Sequence, residues 1–376
     1  MCVIRDAFPA ASIWRYCVTD ASKSPDLRLE IEGALYGGWT SVSIRRGIGQ
    51  VAGTFDLSVS ERWPGQAVPR PIQPGASCRV LIDGRPVITG YVDDVRMSYN
   101  GTSHEVTVGG RDKTCDLVDC CPPSMQLSGA TLAGIARSLA APFGIDVVDK
   151  AGTTAVPGFK PNPGDTCFEI LEQLSRASGV FLTTDGEGRL VITRVSTDKA
   201  PVRLELGRNV REGKGTFSMR DRYSEITVLG QTAATETWNG VSAAHQKTVV
   251  RDRAVPRHRP LVLVAEQEHA GANKRAQWEI NTRYGKGNTA TYTVYGWMCG
   301  NTPWSPNVLV SIVDDFLGLD VTWLLGAVTL SLDAQGYRAE LTLSPPEAYE
   351  VEPISPKRKK SDDTSMRWPD ADTGAA

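Results

Sequence analysis

The sequence is poor in the residues and spacings that most active-site chemistry needs. Histidine occurs four times, at His104, His245, His258 and His269, with no shared spacing. Eight cysteines stand at 2, 17, 78, 115, 120, 121, 167 and 299, and none forms a Cys-x-x-Cys, so no zinc framework emerges. Cys120 and Cys121 are adjacent, a poor geometry for a mutual bridge, and the thiols are read as reduced and cytosol-made. There is no Gly-x-x-x-x-Gly-Lys-Ser/Thr loop to cradle a phosphate, and no Gly-x-Gly-x-x-Gly opening a helix. A Gly-x-Ser-x-Gly elbow and a His-Glu-x-x-His pair are also missing. Charge of one sign is not in excess: the net value is −2, which points away from nucleic acid or an acidic membrane as a binding surface. No apolar window approaches membrane-spanning length without charges, and Met-Cys-Val-Ile-Arg-Asp-Ala-Phe-Pro holds no signal-peptide core. The expectation is a soluble protein without cofactor, metal site or stable membrane insertion.

What is present is a β unit written twice. The first copy runs from about Gly38 to Arg111 and the second from Ala290 to Ser344, each ending in a long hairpin. Gly90, Gly101, Glu105 and Thr107 can be laid over Gly326, Gly336, Glu340 and Thr342 with one gap. At 376 residues the chain is too long for one core, so duplication offers a natural division. In the first copy, Leu27-Arg-Leu-Glu-Ile, Val42 and Ile44, then Phe55, Leu57 and Val59, keep a period of two. Trp63 to Gly75 is proline-rich loop, while Asp83-Gly and Asn100-Gly mark tight hairpin turns.

Between the copies the period changes. Leu132, Ile135, Ala136 and Leu139 have helical spacing. Thr166 with Glu169 makes a capping box before Cys167, Ile170, Leu171 and Leu174, and Gly179 is the expected C′ residue. A hairpin turning at Asp185-Gly-Glu-Gly completes a small α+β unit. The fold class expected is mainly β with α+β parts: two related antiparallel β-barrel modules flanking that unit. The divisions are residues 1–26 as an arm, 27–120 as the first barrel and 121–200 as the α+β domain, joined by an excursion at 231–289. Residues 201–230 plus 290–350 make the second barrel, and 351–376 a disordered tail.

Candidate chemistry is thin. Asp93-Asp94 and Asp314-Asp315 are paired carboxylates in number only, since neighbouring strand residues face opposite ways. Arg251, Arg253, Arg257 and Arg259 lack interleaved aromatics for stacking on single-stranded nucleic acid and read as a connector or protein interface. Lys357-Arg-Lys-Lys runs straight into Asp362-Asp363 and reads as a solubilising end. Trp39, Trp63, Trp297, Trp304 and Trp323 fall in or beside the β modules, where core or subunit packing is expected rather than a sugar platform.

Several ordered blocks resemble one family. Gly38-Trp-Thr-Ser-Val-Ser-Ile-Arg-Arg-Gly-Ile to Phe55-Asp-Leu-Ser-Val-Ser-Glu-Arg-Trp-Pro-Gly is similar to the Mu-like bacteriophage tail protein P, the baseplate hub. So are Gly164-Asp-Thr-Cys-Phe-Glu-Ile-Leu, Asp185-Gly-Glu-Gly-Arg-Leu-Val-Ile-Thr-Arg and Tyr223-Ser-Glu-Ile-Thr-Val-Leu-Gly-Gln. Trp304-Ser-Pro-Asn-Val-Leu-Val-Ser-Ile-Val-Asp-Asp and Leu341-Thr-Leu-Ser-Pro-Pro-Glu-Ala-Tyr complete the set, over about residues 27–350. The resemblance implies a structural virion component of a contractile tail, similar to the central hub of T-even phages and assembled in the host bacterial cytoplasm. It implies a homotrimer whose two barrels per subunit form a pseudo-sixfold ring. Such a ring joins the sixfold tail tube, with other baseplate proteins, to a threefold central spike, and DNA only passes through its channel. No catalytic, cofactor-binding or metal residue carries over, so no enzyme is expected. The rivals are the hub of a tailocin or secretion-type contractile machine, a tail-associated peptidoglycan hydrolase and a carbohydrate-binding module.

Overall fold

The computed structural model describes residues 25–60, 72–101, 104–123, 130–153, 155, 161–231, 245–265 and 272–352. Most of the arm, the loop around Trp63 and most of the tail therefore lie outside the described residues. The first copy contributes β1 (Leu27–Ile31), β2 (Ala34–Tyr36), β3 (Ser41–Gly47), β4 (Gln50–Ser60), β5 (Ser77–Ile82), β6 (Arg85–Tyr99) and β7 (His104–Asp112). Alternation drives each of them: Val42, Ile44, Phe55, Leu57, Val80, Ile82 and Val108 are all buried, with polar neighbours between.

After α1 (Cys115–Asp119), helices α2 (Leu132–Ala140) and α3 (Cys167–Ala177) pack on a three-stranded sheet of β8 (Val147–Asp149), β9 (Phe181–Thr184) and β10 (Leu190–Thr193). Their core joins Leu132, Ile135 and Leu139 to Ile170, Leu174, Leu190 and Ile192. Thr166 and Glu169 form the reciprocal capping box, and Gly179 follows α3 with φ +63°. The Asp185–Gly188 turn rests directly on the start of β6. A Cβ at Gly186 would collide with the Pro86 carbonyl, and Thr89 Oγ1 donates to the Gly186 carbonyl at 2.8 Å.

The second copy consists of β11 (Leu204–Glu205), β12 (Val210–Phe217), β16 (Asn288–Tyr295), β19 (Leu309–Asp314), β20 (Leu319–Asp333) and β21 (Gly336–Ser344). A small hairpin of β17 (Met298–Cys299) and β18 (Thr302–Pro303) is inserted within it. Its sheet order β12-β16-β21-β20-β19-β11 reproduces β3-β4-β7-β6-β5-β1 strand for strand, in the same chain order. One detail differs: β1 pairs antiparallel with β5, whereas β11 pairs parallel with β19. Both hairpins carry one extra residue at a bulge, Asp93 in β6 and Gly326 in β20. Counted from those bulges, Thr107 matches Glu340 rather than Thr342, two residues out of register, and Gly326 matches Asp93 rather than Gly90, three out.

The two copies are not separate bodies. β3 pairs with β20, which joins them into one thirteen-stranded sheet over a common core. The chain is mainly antiparallel β as expected, and closure of either copy into a barrel is not detected among the described residues.

Residues 201–230 divide. β11 and β12 join the large sheet, but β13 (Glu225–Gln231) pairs with β14 (His245–Arg251) and β15 (Pro260–Ala265) in a third sheet. The reason is the cover: Ile226 and Val228 pack on Ala272 and Ala276 of α4 (Ala272–Gly287). Within the 231–289 excursion, β14, β15 and α4 thus form a unit with β13, not an extension of the β8–β10 sheet. No helix among the described residues is long and apolar enough to cross a membrane.

Candidate assembly surface

The residues best suited to chemistry are mostly spent on structure. Asp93 pairs with Arg111, whose guanidinium Nε lies 2.7 Å from Asp93 Oδ2 and which also meets Asp119 at 2.9 Å. Asp314 is buried and accepts from Tyr292 Oη at 2.9 Å and from the Leu317 N–H at 3.0 Å, while Asp315 is exposed. Burial and that carboxylate push the Tyr292 hydroxyl well above its ordinary range. His104 lies edge-on to Tyr99, and His258 is exposed. The His245 side chain and all of His269 lie outside the described residues.

The arginine stretch braces the third sheet. Arg251 pairs with Glu225 at 2.9 Å, and Arg259 donates to the Met219 and Arg220 carbonyls while covering the Tyr223 ring. Trp39, Trp297, Trp304 and Trp323 are buried, and Trp297 Nε1 donates to the carbonyls of Ser331 and Arg338. None of these indoles is a sugar platform. Burial pushes the Cys78 and Cys115 thiols up to about 12, so neither supplies a thiolate at neutral pH. Among the described residues no cluster of His, Cys, Asp or Glu could hold a metal ion.

An open groove of about 520 Å³ lies between Phe181 and Arg194 on one side and Trp278, Asn281 and Tyr349 on the other. Glu350 is the one carboxylate among its lining residues, pushed up by burial and by Glu347. Glycoside hydrolysis commonly needs a second carboxylate facing the first across about 5–9.5 Å, and the lining offers none.

One buried polar residue escaped the sequence reading. Asp112, at the end of β7, is 1% exposed. Its carboxylate accepts from the Gly53 N–H at 2.6 Å, Thr184 Oγ1 at 2.8 Å, the Thr114 N–H at 2.9 Å and the Thr114 hydroxyl. Burial raises its pKa while these donors work against that rise. Its partners lie on β4, in the turn before α1 and on β9, so this carboxylate pins the α+β unit to the first β copy. Only its position as the last residue of a strand marks it, and that signal is too weak to find it.

What remains for function is surface, and the large sheet has two distinct faces. Its core side is apolar. The other side is dominated by small hydroxyls: Ser43, Ser58 and Thr107 in the first copy, Thr291, Thr293, Thr329, Ser331 and Thr342 in the second. Charges there are of both signs, and some are paired, as in Arg96 with Asp56 at 3.0 Å and Lys214 with Glu212 at 2.9 Å. At the β3–β20 seam, Ile44 stands opposite Leu330 and Val42 opposite Leu332; Ile44, Val42 and Leu330 are buried and Leu332 packs against the core.

Comparison with known proteins gives this surface a context. Four family models match successive stretches. They are Mu phage baseplate assembly protein GpP-like, N-terminal (26–112), and baseplate hub protein gp44-like, second domain (114–194). Tail protein NMB1110-like, third domain (222–278), and Mu phage baseplate assembly protein GpP, fourth domain (268–352), follow. Baseplate hub protein gp44 of Escherichia phage Mu is 36% identical over 351 residues, covering 89% of this chain and 92% of that protein. The crystal structure of the 43 kDa tail protein of prophage MuSo2 from Shewanella oneidensis superposes with a TM-score of 0.76 at 38% identity. That match covers 87% of this chain and 99% of the other. The tail protein from Neisseria meningitidis MC58 shares the fold, with a TM-score of 0.73 at 24% identity over 87% of this chain and 98% of its own.

Proposed function

We propose, for a chain that belongs to the Mu phage baseplate hub family, that three copies close into a ring with pseudo-sixfold symmetry. The chain is a phage baseplate hub and a component of the virion tail. The observation that carries the ring is the repeated topology: six strands in one order, twice, joined edge to hairpin through β3 and β20. A joint that leaves an unused edge on one copy and an unused hairpin on the other is heterologous, and such joints close into rings when their rotation divides a full turn. Three chains then present six similar modules. That arrangement suits a part standing between a sixfold tail tube with its baseplate neighbours and a threefold central spike. The hydroxyl-rich face of the large sheet lines the channel. Its charges are of both signs, so DNA meets no continuous cationic track and passes through without being gripped.

The role is architectural rather than catalytic. The relatives are baseplate hub and tail proteins, and the groove beside Glu350 lacks a second carboxylate among its lining residues. Light scattering across a tenfold concentration range is expected to give three 40.7 kDa chains, about 122 kDa. The same preparation is expected to leave purified peptidoglycan sacculi intact. A strict monomer would contradict ring closure, and release of soluble muropeptides would revive the hydrolase reading.

A further inference from the structure

The chain contains one copy of a joint and the two halves of another. In the joint that is made, β3 of the first module lies along residues 327–332 of β20, covering the apolar stripe Val328, Leu330 and Leu332. The equivalent strands are β12 for β3 and β6 for β20. Neither has its counterpart's partner. β12 pairs only with β16, and its other edge carries no strand among the described residues. The distal half of β6, Asp94–Tyr99, pairs only with β7.

The exposure of side chains follows this gap. Counted from the bulges, Met97 matches Leu330 and Tyr99 matches Leu332. Leu330 is 2% exposed, whereas Met97 is 68% and Tyr99 85% exposed. Large apolar side chains set at alternate positions on a strand, continuous with the buried Val92 and half-buried Val95, form a core face with its cover missing. An open edge beside them is a template for another strand.

We infer that β12 of one copy adds to the distal half of β6 of the next, antiparallel, and repeats the β3–β20 joint between subunits. The inference rests on the ring reading above and specifies its contact. Transferring the internal register sets Met97 opposite Gly215, Tyr99 opposite Gly213 and Ser98 opposite Lys214 of the neighbouring copy. The residue types fit. β3 places Val42 and Ile44 at this seam, but β12 places two glycines there, backed by the Tyr292 ring at Gly213 and by the Phe217 ring and Leu317 at Gly215, an apolar floor for the Tyr99 ring and the Met97 chain of the neighbouring copy. An aromatic laid across a strand glycine shields the backbone that glycine exposes. Phe217 on the same face of β12, 50% exposed, extends the apolar contact. On the hydroxyl-rich side, Ser98 and Arg96 of one copy meet Lys214 and Thr216 of the other.

The test is a cross-link in the full-length chain carrying Ser98→Cys and Lys214→Cys, oxidised with diamide. Directly opposed antiparallel residues have Cα atoms about 4.5–5.5 Å apart, within disulfide reach. The expected result is a reducible, covalently closed trimer on denaturing gels, absent from either single variant. Pairing Ser98→Cys with Glu212→Cys moves the partner two residues along the strand, to roughly 7–8 Å, and is expected to link poorly. A chain that is trimeric by light scattering but does not link at 98 and 214, or links better at 98 and 212, overturns this joint and leaves the ring standing. A chain that neither trimerises nor links contradicts both.

Discussion

Leu330→Ala is expected to lower the folding stability of the isolated chain by about 2–5 kcal/mol, the range for truncating a fully packed leucine. Leu330 lies between Ile44 on β3 and Ala339 on β21, both buried, so the cavity opens inside the seam that joins the two modules. Met97→Ala sits at the matching position of the other module and is expected to behave oppositely. Met97 is 68% exposed in the single chain, so its truncation should leave folding within about 0.5 kcal/mol of the parent. Its effect falls on assembly. A side chain buried at the centre of an interface commonly contributes more than about 1 kcal/mol, so the monomer–trimer midpoint should move to roughly tenfold higher concentration. Met97→Asp places a charge in the seam and should abolish the trimer at micromolar concentration. Urea unfolding and sedimentation read the two effects separately. If Met97→Ala destabilised the monomer as strongly as Leu330→Ala does, the proposed vacancy on β6 would already be filled within the chain.

Asp112→Ala is the second large effect, expected at about 3–5 kcal/mol. The substitution leaves the Gly53 and Thr114 N–H groups and the Thr184 hydroxyl inside the protein with no acceptor. Each such orphan costs about 1–3 kcal/mol. Asp112→Asn is no rescue, because both carboxylate oxygens accept hydrogen bonds and an amide nitrogen would face a donor with a donor. The damage should be uneven. Arg46 still reaches the Thr184 carbonyl at 3.2 Å and Thr89 still holds Gly186, so the α+β unit loosens rather than detaches. Amide exchange in β9 and β10 should rise before that of β4 and β7. Uniform exchange across all four strands would show that Asp112 serves the large sheet alone.

How legible this was in the sequence depended on how local the determining contacts are. Alternation at Phe55, Leu57 and Val59, and the capping box at Thr166 and Glu169, are written within a few residues and could be read directly. Along β7 and β21 the overlay is two residues out, because such a slip keeps every side chain on its own face and the apolar pattern does not change. Only the bulges at Asp93 and Gly326 fix the register, and a bulge is a property of pairing with another strand. β13 went to the wrong sheet for a related reason. Ile226 and Val228 state that one face is buried, not what covers it, and α4 lies more than 40 residues downstream. β12 reads Val-Arg-Glu-Gly-Lys-Gly-Thr-Phe, which has no apolar alternation at all. In the proposed ring its cover comes from another copy, so a pattern written for one chain's core would not reveal it. Asp112 is a single residue whose partners come from β4, from the turn before α1 and from β9, and no motif announces such a pin.

In the proposed ring the internal β3–β20 joint and the intersubunit β12–β6 joint are two versions of one contact, closing six modules into an annulus. Electron microscopy of the assembled chain, averaged down its symmetry axis, distinguishes this arrangement from any other. The expected image is an annulus with an open centre, true threefold symmetry and six lobes of similar density. A dimer, an open filament or a threefold particle whose second modules splay away from the ring would contradict it.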